Sequence, residues 1–191
     1  MKSIGVLALQ GDVREHVATL RRVGANVSEI RRPSDLAGIA GVVIPGGEST
    51  TIAHLLVSSG LREELASAFA DGLPVFGTCA GLIVLSNTIV DGRVDQWSFG
   101  ALDVTVQRNG YGRQIASFEA LVSVVGLGEV PGVFIRAPRI TAWGDVEVLA
   151  SYDHGDGAHP VLVRKDSAWG CSFHPELTTD GRVHELFVNS I

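Results

Sequence analysis

A cysteine set between two glycines is the feature that most narrows the folds open to this chain. Cys79 lies in the run Gly77-Thr78-Cys79-Ala80-Gly81, with apolar residues at 73–76 before it and at 82–85 after it. This pattern predicts a strand, a sharp turn and a helix, because the two glycines let the elements pass closely without Cβ clashes. The cysteine is then exposed at the apex of a strained turn, where a thiol can act as a nucleophile.

Two local effects would raise the reactivity of this thiol. The positive end of the helix that starts near Ala80 favours the thiolate, and the Ala80 N–H can donate to an oxyanion. The alternative is that Cys79 is a small buried side chain without chemistry, since free cysteines are among the most buried residues. The choice depends on the rest of the chain.

The first half of the sequence predicts an α/β fold. Residues 4–9 form a nearly continuous apolar run, which is typical of a parallel strand covered on both faces. Apolar residues then recur at helical spacing over 13–23, where Asp12 can cap the helix, and further strands are predicted at 26–31 and 41–44. We therefore expect a three-layer α/β/α, flavodoxin-like fold with an open, mostly parallel sheet.

The second half of the sequence differs in composition and periodicity. Residues 91–134 are rich in glycine and β-branched residues without helical periodicity, which predicts antiparallel strands and long loops added to the main sheet. Strands are predicted at 146–150, 160–163 and 168–173, and a closing helix at 182–190. No internal repeat or linker is visible, so we expect residues 1–191 to form a single domain.

Composition excludes several classes of protein. The chain is 46% hydrophobic with a net charge of −6, which disfavours nucleic acid as a general partner. No apolar run reaches the ~18 residues of a membrane span and no signal-peptide pattern is present, so we expect a cytoplasmic protein without membrane contact. Cys79 and Cys171 are far apart in sequence and predict free thiols rather than a disulfide framework.

A nucleophilic thiol needs a base, and the base needs a group that fixes its tautomer. His174-Pro175-Glu176 follows a predicted strand and offers both, because side chains two apart in an extended segment lie on the same side. Glu176 can then orient the imidazole that accepts the Cys79 proton. The other histidines lie in no comparable motif and are interpreted as surface or packing residues: His16, His54, His154, His159 and His184.

The loop Pro45-Gly46-Gly47-Glu48-Ser49-Thr50 follows the third predicted strand, where open α/β sheets bind their ligands. Its glycine pair can turn N–H groups towards a substrate, and Ser49 and Thr50 can cap the next helix. A plain turn is the alternative. One or more of four arginines can face the same site and bind a carboxylate, although solvated surface is the alternative for each: Arg108, Arg113, Arg136 and Arg139.

Metal binding is not predicted. Cys79, Cys171 and His174 lack a C-x-x-C pair and a fourth ligand, so a zinc site is disfavoured. Cys171 lies in an apolar strand and is expected to be buried.

Three features together resemble the class I, or triad, glutamine amidotransferases: the loop at 45–50 with its glycine pair, the strand–turn–helix elbow around Cys79, and the late His174-Pro175-Glu176. Within these, the chain is similar to the PdxT family, the glutaminase subunits of pyridoxal 5'-phosphate synthase. The matching segments cover most of the chain: 5–11, 14–16, 45–51, 76–82, 108–114, 117–119, 133–138 and 170–177. Residues 91–99 match least well and are expected to form a surface loop.

The resemblance implies hydrolysis of L-glutamine to L-glutamate and ammonia, with no cofactor and no metal. It implies that ammonia passes to a synthase subunit of the PdxS family in a large hetero-oligomer that makes pyridoxal 5'-phosphate. By similarity Cys79 is the nucleophile and His174 with Glu176 completes the triad, while N–H groups of Gly47 and Ala80 form the oxyanion hole. The implied glutamine-binding residues are Gly46, Gly47, Glu48, Ser49, Arg108, Ile135 and Arg136.

Two alternatives stay open at this point. One is another cysteine hydrolase on a similar sheet, of the PfpI type, in which the catalytic histidine usually follows the cysteine closely. The other is a non-catalytic, flavodoxin-like scaffold subunit in which Cys79 is incidental. If the glutaminase interpretation holds, the Gly46-Gly47 pair also suggests that the synthase partner orders this loop and so gates hydrolysis.

Overall fold

Strands and helices alternate along the first half of the chain, and strands dominate the second. A computed structural model describes residues 2–110 and 117–191. The strands in these ranges are β1 Ser3–Leu7, β2 Asn26–Ile30, β3 Gly41–Ile44, β4 Val75–Thr78, β5 Ser86–Ile89, β6 Leu102–Gln107, β7 Ser117–Val124, β8 Gly128–Ile135, β9 Arg139–Trp143, β10 Glu147–Asp153, β11 Ala158–Lys165 and β12 Ala168–Cys171. The helices are α1 Val13–Arg22, α2 Ser49–Ser58, α3 Leu61–Ala70, α4 Ala80–Leu85 and α5 Arg182–Ser190, with 3₁₀ turns at Pro33–Leu36 and Pro175–Leu177.

The main sheet has the strand order β10-β11-β12-β4-β3-β1-β2. The strands from β12 to β2 are parallel, and the register pairs Cys171 of β12 with Thr78 of β4. β11 and β10 then extend the sheet with antiparallel pairing beyond β12. The predicted mostly parallel sheet with added antiparallel strands is therefore confirmed.

Helices cover both faces of this sheet, which gives the three predicted layers. On one face, Val17 and Leu20 of α1 and Phe187 of α5 pack in a single apolar cluster with strand residues such as Phe76. On the other face, residues of α2, α3 and α4 pack in a second cluster around Ile44 of β3. The apolar strand runs of the sequence follow from this, because each central strand is buried on both sides.

The strands between residues 102 and 135 do not join the main sheet, which corrects the expectation for residues 91–134. β5, β6 and β9 form one small sheet, and β7 and β8 form a separate hairpin. These strands pair elsewhere: β6 with β5 and β9, and β7 with β8. The hairpin instead contributes Phe134 to the first apolar cluster, and β6 contributes Val104 to the second.

Parallel strands end at a common edge, and this edge carries the candidate site. The segments that follow β1, β3, β4 and β12 contain residues 8–12, 45–48, 79 and 172–174. Ligands of open α/β sheets bind at this edge. Among the described residues, no helix has the length and apolar character needed to cross a bilayer.

Candidate active site

Cys79 occupies the predicted elbow between β4 and α4. Its φ is 49°, a left-handed value that is rare for a residue other than glycine. A Cβ added to Gly77 would lie 2.5 Å from the carbonyl carbon of Gly81, and one added to Gly81 would overlap the Ile44 carbonyl oxygen. The glycines are therefore required where strand and helix cross, and the predicted strand–turn–helix geometry is confirmed.

The last strand of the sheet completes this elbow. The Cys79 N–H donates to the Cys171 carbonyl oxygen at 2.7 Å, which satisfies a backbone donor that lies outside the helix. The thiol is 7% exposed and lies 4.0 Å from the Ile135 carbonyl oxygen. Cys79 is therefore more enclosed than an apex position alone would suggest, since β8 reaches over it.

His174 and Glu176 lie where β12 ends, and their side chains are hydrogen-bonded. Glu176 Oε1 accepts from His174 Nδ1 at 2.7 Å, and both residues are 4% exposed. The His174 N–H donates to the Val133 carbonyl oxygen at 2.8 Å, which ties the segment to β8. His174 also interacts with the Cys79 side chain, so the structure brings the three predicted triad residues together.

The charges in this cluster favour an imidazolium beside a carboxylate. Burial lowers the pKa of His174, but hydrogen bonds with Asp12, Cys79 and Glu176 outweigh it and raise the pKa to about 12. Burial raises the pKa of Glu176, yet the nearby His16 and His174 bring it well below its usual range. Glu176 is therefore ionised at neutral pH and can orient the imidazole.

Asp12 does not cap α1, which corrects the interpretation from sequence. It occupies the N-cap position without a side-chain capping bond, and its Oδ2 lies 3.3 Å from His174 Nδ1 instead. One side-chain nitrogen or oxygen atom from each of Asp12, His174 and Glu176 lies within 4.8 Å of the other two. This second carboxylate was missed because a short carboxylate just before a helix normally indicates a cap.

His16 and His184 form a buried chain behind the triad. His16 Nε2 lies 3.4 Å from Glu176 Oε1 and 3.1 Å from Thr78 Oγ1, and its Nδ1 lies 2.9 Å from His184 Nε2. Both rings are fully buried. For His16, the interpretation as a surface or packing residue was incomplete, since it contacts the triad glutamate. Its position on the apolar face of α1 with Val13 and Val17 was the available signal.

A small cavity lies next to the thiol. Its volume is about 90 Å³, and it is lined by Gly47, Glu48, Ser49, Cys79, Ile83, Arg108, Asn109, Ile135 and Arg136. Six of the seven residues predicted to bind glutamine therefore line one cavity with Cys79. Asn109 and Ile83 were not predicted, although Asn109 adjoins Arg108 in the motif at 108–114.

Gly46 is the predicted binding residue that lies outside this lining. A Cβ at Gly46 would overlap the His174 ring, so the glycine lets the backbone of the loop touch the imidazole. Gly47 has a φ of 150°, a value that favours glycine. Ala80 is buried at the first position of α4. Whether Gly47 and Ala80 donate to an oxyanion stays a prediction.

Glu48 and Arg108 place opposite charges at the cavity. Arg108 donates to Glu48 Oε1 at 2.7 Å, and the same oxygen accepts from the Thr50 N–H at 3.3 Å. Glu48 therefore caps α2, where Ser49 and Thr50 were expected to do so. The Glu48 N–H in turn donates to Gln10 Oε1 at 2.8 Å, which ties the loop to the segment after β1.

The other arginines divide between cavity and periphery. Arg136 lines the cavity, is exposed and has a φ of 43°. Arg139 pairs with Asp156 at 2.7 Å, so its guanidinium has a partner away from the cavity. Arg113 lies outside the described residues.

Residues 91–99 form a loop that reaches the site. Gln96 Nε2 donates to Ser49 Oγ at 3.0 Å, and the Arg62 guanidinium lies 4.5 Å from the Trp97 ring centroid. The loop is at the surface as expected, but it also contacts a residue that lines the cavity. No sequence motif marked Gln96.

Cys171 is buried, as predicted. It is 0% exposed, and its Sγ donates to the Phe173 carbonyl oxygen at 3.3 Å. Burial raises the pKa of this thiol well above its ordinary value. Cys171 is therefore expected to be a neutral, unreactive thiol, and Cys79 stays the predicted nucleophile.

The open, mostly parallel sheet with helices on both faces places this chain among the class I glutamine amidotransferases. A solved structure described as a glutamine amidotransferase superposes with a TM-score of 0.91 at 47% identity, covering 97% of each chain. The chain belongs to the SNO glutamine amidotransferase family, whose model matches residues 6–191.

Curated relatives support the same family. A protein of Mycobacteroides abscessus named pyridoxal 5'-phosphate synthase subunit PdxT is 51% identical over 190 residues, which cover 98% of this chain and 96% of the relative. One of Parafrankia sp. with the same name is 53% identical over 191 residues, covering 98% and 92%. A solved glutamine amidotransferase of Thermotoga maritima shares the fold at 13% identity, with a TM-score of 0.60 over 99% of this chain and 83% of that one.

Proposed function

We propose that this chain is a glutaminase that hydrolyses L-glutamine to L-glutamate and ammonia and supplies the ammonia to a pyridoxal 5'-phosphate synthase subunit. The observation that carries the proposal is that His174 interacts with the Cys79 side chain while its Nδ1 is hydrogen-bonded to Glu176. Relatives named pyridoxal 5'-phosphate synthase subunit PdxT, at about half identity over nearly the whole chain, support the choice of pathway. A non-catalytic scaffold would not need this arrangement.

The reaction follows from the positions of the three side chains. The Cys79 thiolate attacks the side-chain amide carbon of glutamine, and the amide oxygen becomes an oxyanion. His174 then gives its proton to the departing ammonia, which leaves a thioester on Cys79. Water, deprotonated by His174, cleaves the thioester and releases glutamate. Glu176 keeps the imidazole in the required orientation throughout.

The oxyanion requires hydrogen-bond donors, and we assign these to the N–H groups of Gly47 and Ala80. Ala80 follows the nucleophile directly, which is the usual position of one donor at a nucleophile elbow. Loss of one such donor typically costs about 2.7–4 kcal/mol, or 10²–10³ in kcat. The conformation at Gly47 therefore has a large effect on the rate.

The charge pair at the cavity suits an α-amino acid. We assign Arg108 to the α-carboxylate of glutamine, because a guanidinium binds a carboxylate with two parallel hydrogen bonds. Glu48 faces the same space and can accept from the α-ammonium group. Gly46, Gly47, Ser49, Ile135 and Arg136 complete the proposed site, with Ile135 and Arg136 supplied from the end of β8.

The partner is proposed to be a synthase subunit of the PdxS family, bound in a large hetero-oligomer. Residues 1–191 would act as one amidotransferase domain, in the cytoplasm, where the catalytic thiol stays reduced. We also propose that the partner orders the Gly46-Gly47 loop, which Gln10 holds through the Glu48 N–H. The rate of glutamate release should then be about 10²–10³-fold lower for the isolated chain than for the complex. Equal rates would exclude this gating.

The two cysteines offer a matched test of the proposed activity. A glutamine-mimicking diazo-ketone, added to the chain with its synthase subunit, should alkylate Cys79, and excess glutamine should protect it. Cys79→Ala should abolish both the adduct and glutamate release, whereas Cys171→Ala should keep both, because Cys171 is buried away from the cavity. An adduct that glutamine does not protect, or glutamate release by Cys79→Ala, would contradict the proposal.

A further inference from the structure

Asp12 reaches the catalytic imidazole from the opposite end of the sequence. It stands at the N-terminus of α1, where a carboxylate gains from bonding to the first N–H groups of the helix. Its side chain makes no capping bond, and Oδ2 lies 3.3 Å from His174 Nδ1. The carboxylate thus interacts with the imidazole in place of the cap.

We propose that Asp12 is a second carboxylate partner of His174, a positioning residue that holds the proton on the imidazole together with Glu176. The proposal rests on the glutaminase function proposed above. It concerns how the proton that His174 gives to the departing ammonia is held on the imidazole. Asp12 does not contact the reacting atoms in this scheme and acts through His174.

The backbone holds Asp12 firmly in this place. The Asp12 N–H donates to the Gly46 carbonyl oxygen at 3.2 Å, and a Cβ at Gly11 would overlap that same oxygen. A Cβ at Gly46 would lie 3.1 Å from Asp12 Oδ2 and would overlap the His174 ring. Asp12, Gly46 and His174 are therefore in mutual contact.

The two carboxylates have different surroundings. The Glu176 side chain is fully buried, and its Oε1 is shared between His174 at 2.7 Å and His16 at 3.4 Å. The Asp12 side chain is 36% exposed and can take a new position more easily. Glu176 Oε1 interacts with two imidazoles, those of His174 and His16. The Asp12 carboxylate therefore gives His174 Nδ1 a second acceptor.

In the described residues, three side chains face His174, and each of them favours its protonated form. Asp12 comes from the N-terminus of α1, Cys79 from the elbow and Glu176 from its own segment. A carboxylate within about 4–6 Å stabilises a cation by 1–3 pKa units. Each carboxylate alone can then keep His174 protonated at pH 6, while loss of both removes the two anions that hold this proton beside Cys79.

Alkylation of Cys79 by iodoacetamide tests this without any glutamine turnover. The rate at pH 6, followed by peptide mass, should stay within about tenfold of wild type for Asp12→Asn and for Glu176→Gln. In Asp12→Asn/Glu176→Gln it should fall a further 10–100-fold, because neither carboxylate is left to hold the His174 proton beside Cys79. A double variant that reacts like Glu176→Gln alone would overturn the proposal. Failure of glutaminase activity would not alter this readout.

A second measurement does not depend on the folding of Glu176→Gln. In the complex with the synthase subunit, Asp12→Asn should lower kcat for glutamine about 3–10-fold with KM unchanged, and Asp12→Glu should recover most of the loss. Glu15→Gln, which removes the same charge from the same turn of α1, is the matched control and should match wild type. Equal kcat for Asp12→Asn and Glu15→Gln would overturn the role of Asp12.

Discussion

The buried imidazole of His184 makes a testable contribution to stability as pH falls. The side chain is 0% exposed, and its ring meets Phe76 edge-on with centroids 5.7 Å apart. Burial, and then the neighbouring His16, lower the pKa of His184 to about 3. The native protein therefore does not protonate this ring at mildly acidic pH, whereas the unfolded chain does so below about 6.5.

The sign and size of the effect follow from proton linkage. Stability due to neutral His184 is complete above pH 6.5 and falls by about 1.4 kcal/mol per unit as pH decreases. Between pH 6.5 and 4.5 this amounts to about 2 kcal/mol in the free energy of unfolding. His184→Leu cannot take up this proton, so its stability should change by about 2 kcal/mol less than that of wild type over the same interval.

The interval is chosen so that the triad does not contribute. The pKa of His174 is raised, so its stabilisation is complete below 6.5 and is lost only as pH rises towards about 12. The pKa of Glu176 is lowered, so its stabilisation is lost as pH falls below about 4.5. His154 has a lowered pKa and contributes equally to wild type and variant.

Urea unfolding at pH 6.5 and 4.5 provides the assay. The lost hydrogen bond to His16 lowers the stability of His184→Leu at both pH values, so only the difference between the two pH values is compared. His54→Gln is the control, because that side chain is 65% exposed, and it should keep the wild-type difference. If His184→Leu loses as much stability as wild type between the two pH values, the reasoning fails.

Two further predictions concern the elbow and the cavity. Gly81→Ala should lower the free energy of unfolding by about 3 kcal/mol, because the added Cβ meets the backbone of Ile44. Gly72→Ala has room for its Cβ but a left-handed φ of 90°, so in the same urea titration it should cost only about 1–2 kcal/mol. In the synthase complex, Arg108→Ala should raise KM for glutamine about 10–100-fold with little change in kcat. Arg139→Ala, at the periphery, should leave KM unchanged. A fall in kcat alone would refute carboxylate binding by Arg108.

Local sequence patterns sufficed for much of the fold and for the central chemistry. The continuous apolar runs predicted the parallel strands because each is buried on both faces, and the glycines around Cys79 predicted the elbow because no Cβ fits there. The pairing of His174 with Glu176 also followed from a local spacing of two residues. In each case the pattern that allowed the prediction lies within a short stretch of the sequence.

Interactions between distant residues explain what the sequence did not predict. Asp12 obeys the rule for a helix cap locally, but its partner His174 lies at the other end of the chain. β6 pairs with β9 more than thirty residues later in the chain, so its partner could not be predicted from a local pattern. Gln96 reaches Ser49 from a loop with no motif, so only the folded chain reveals that contact.

The insertion of β12 between β11 and β4 has a consequence for biosynthesis. This strand supplies the carbonyl that binds the Cys79 N–H and leads directly into His174. A nascent chain on the ribosome that has emerged only as far as residue 165 carries Cys79 without His174 and without that backbone bond. Under the proposed mechanism such a chain would be inert, and glutamine cleavage would begin only after β12 has docked.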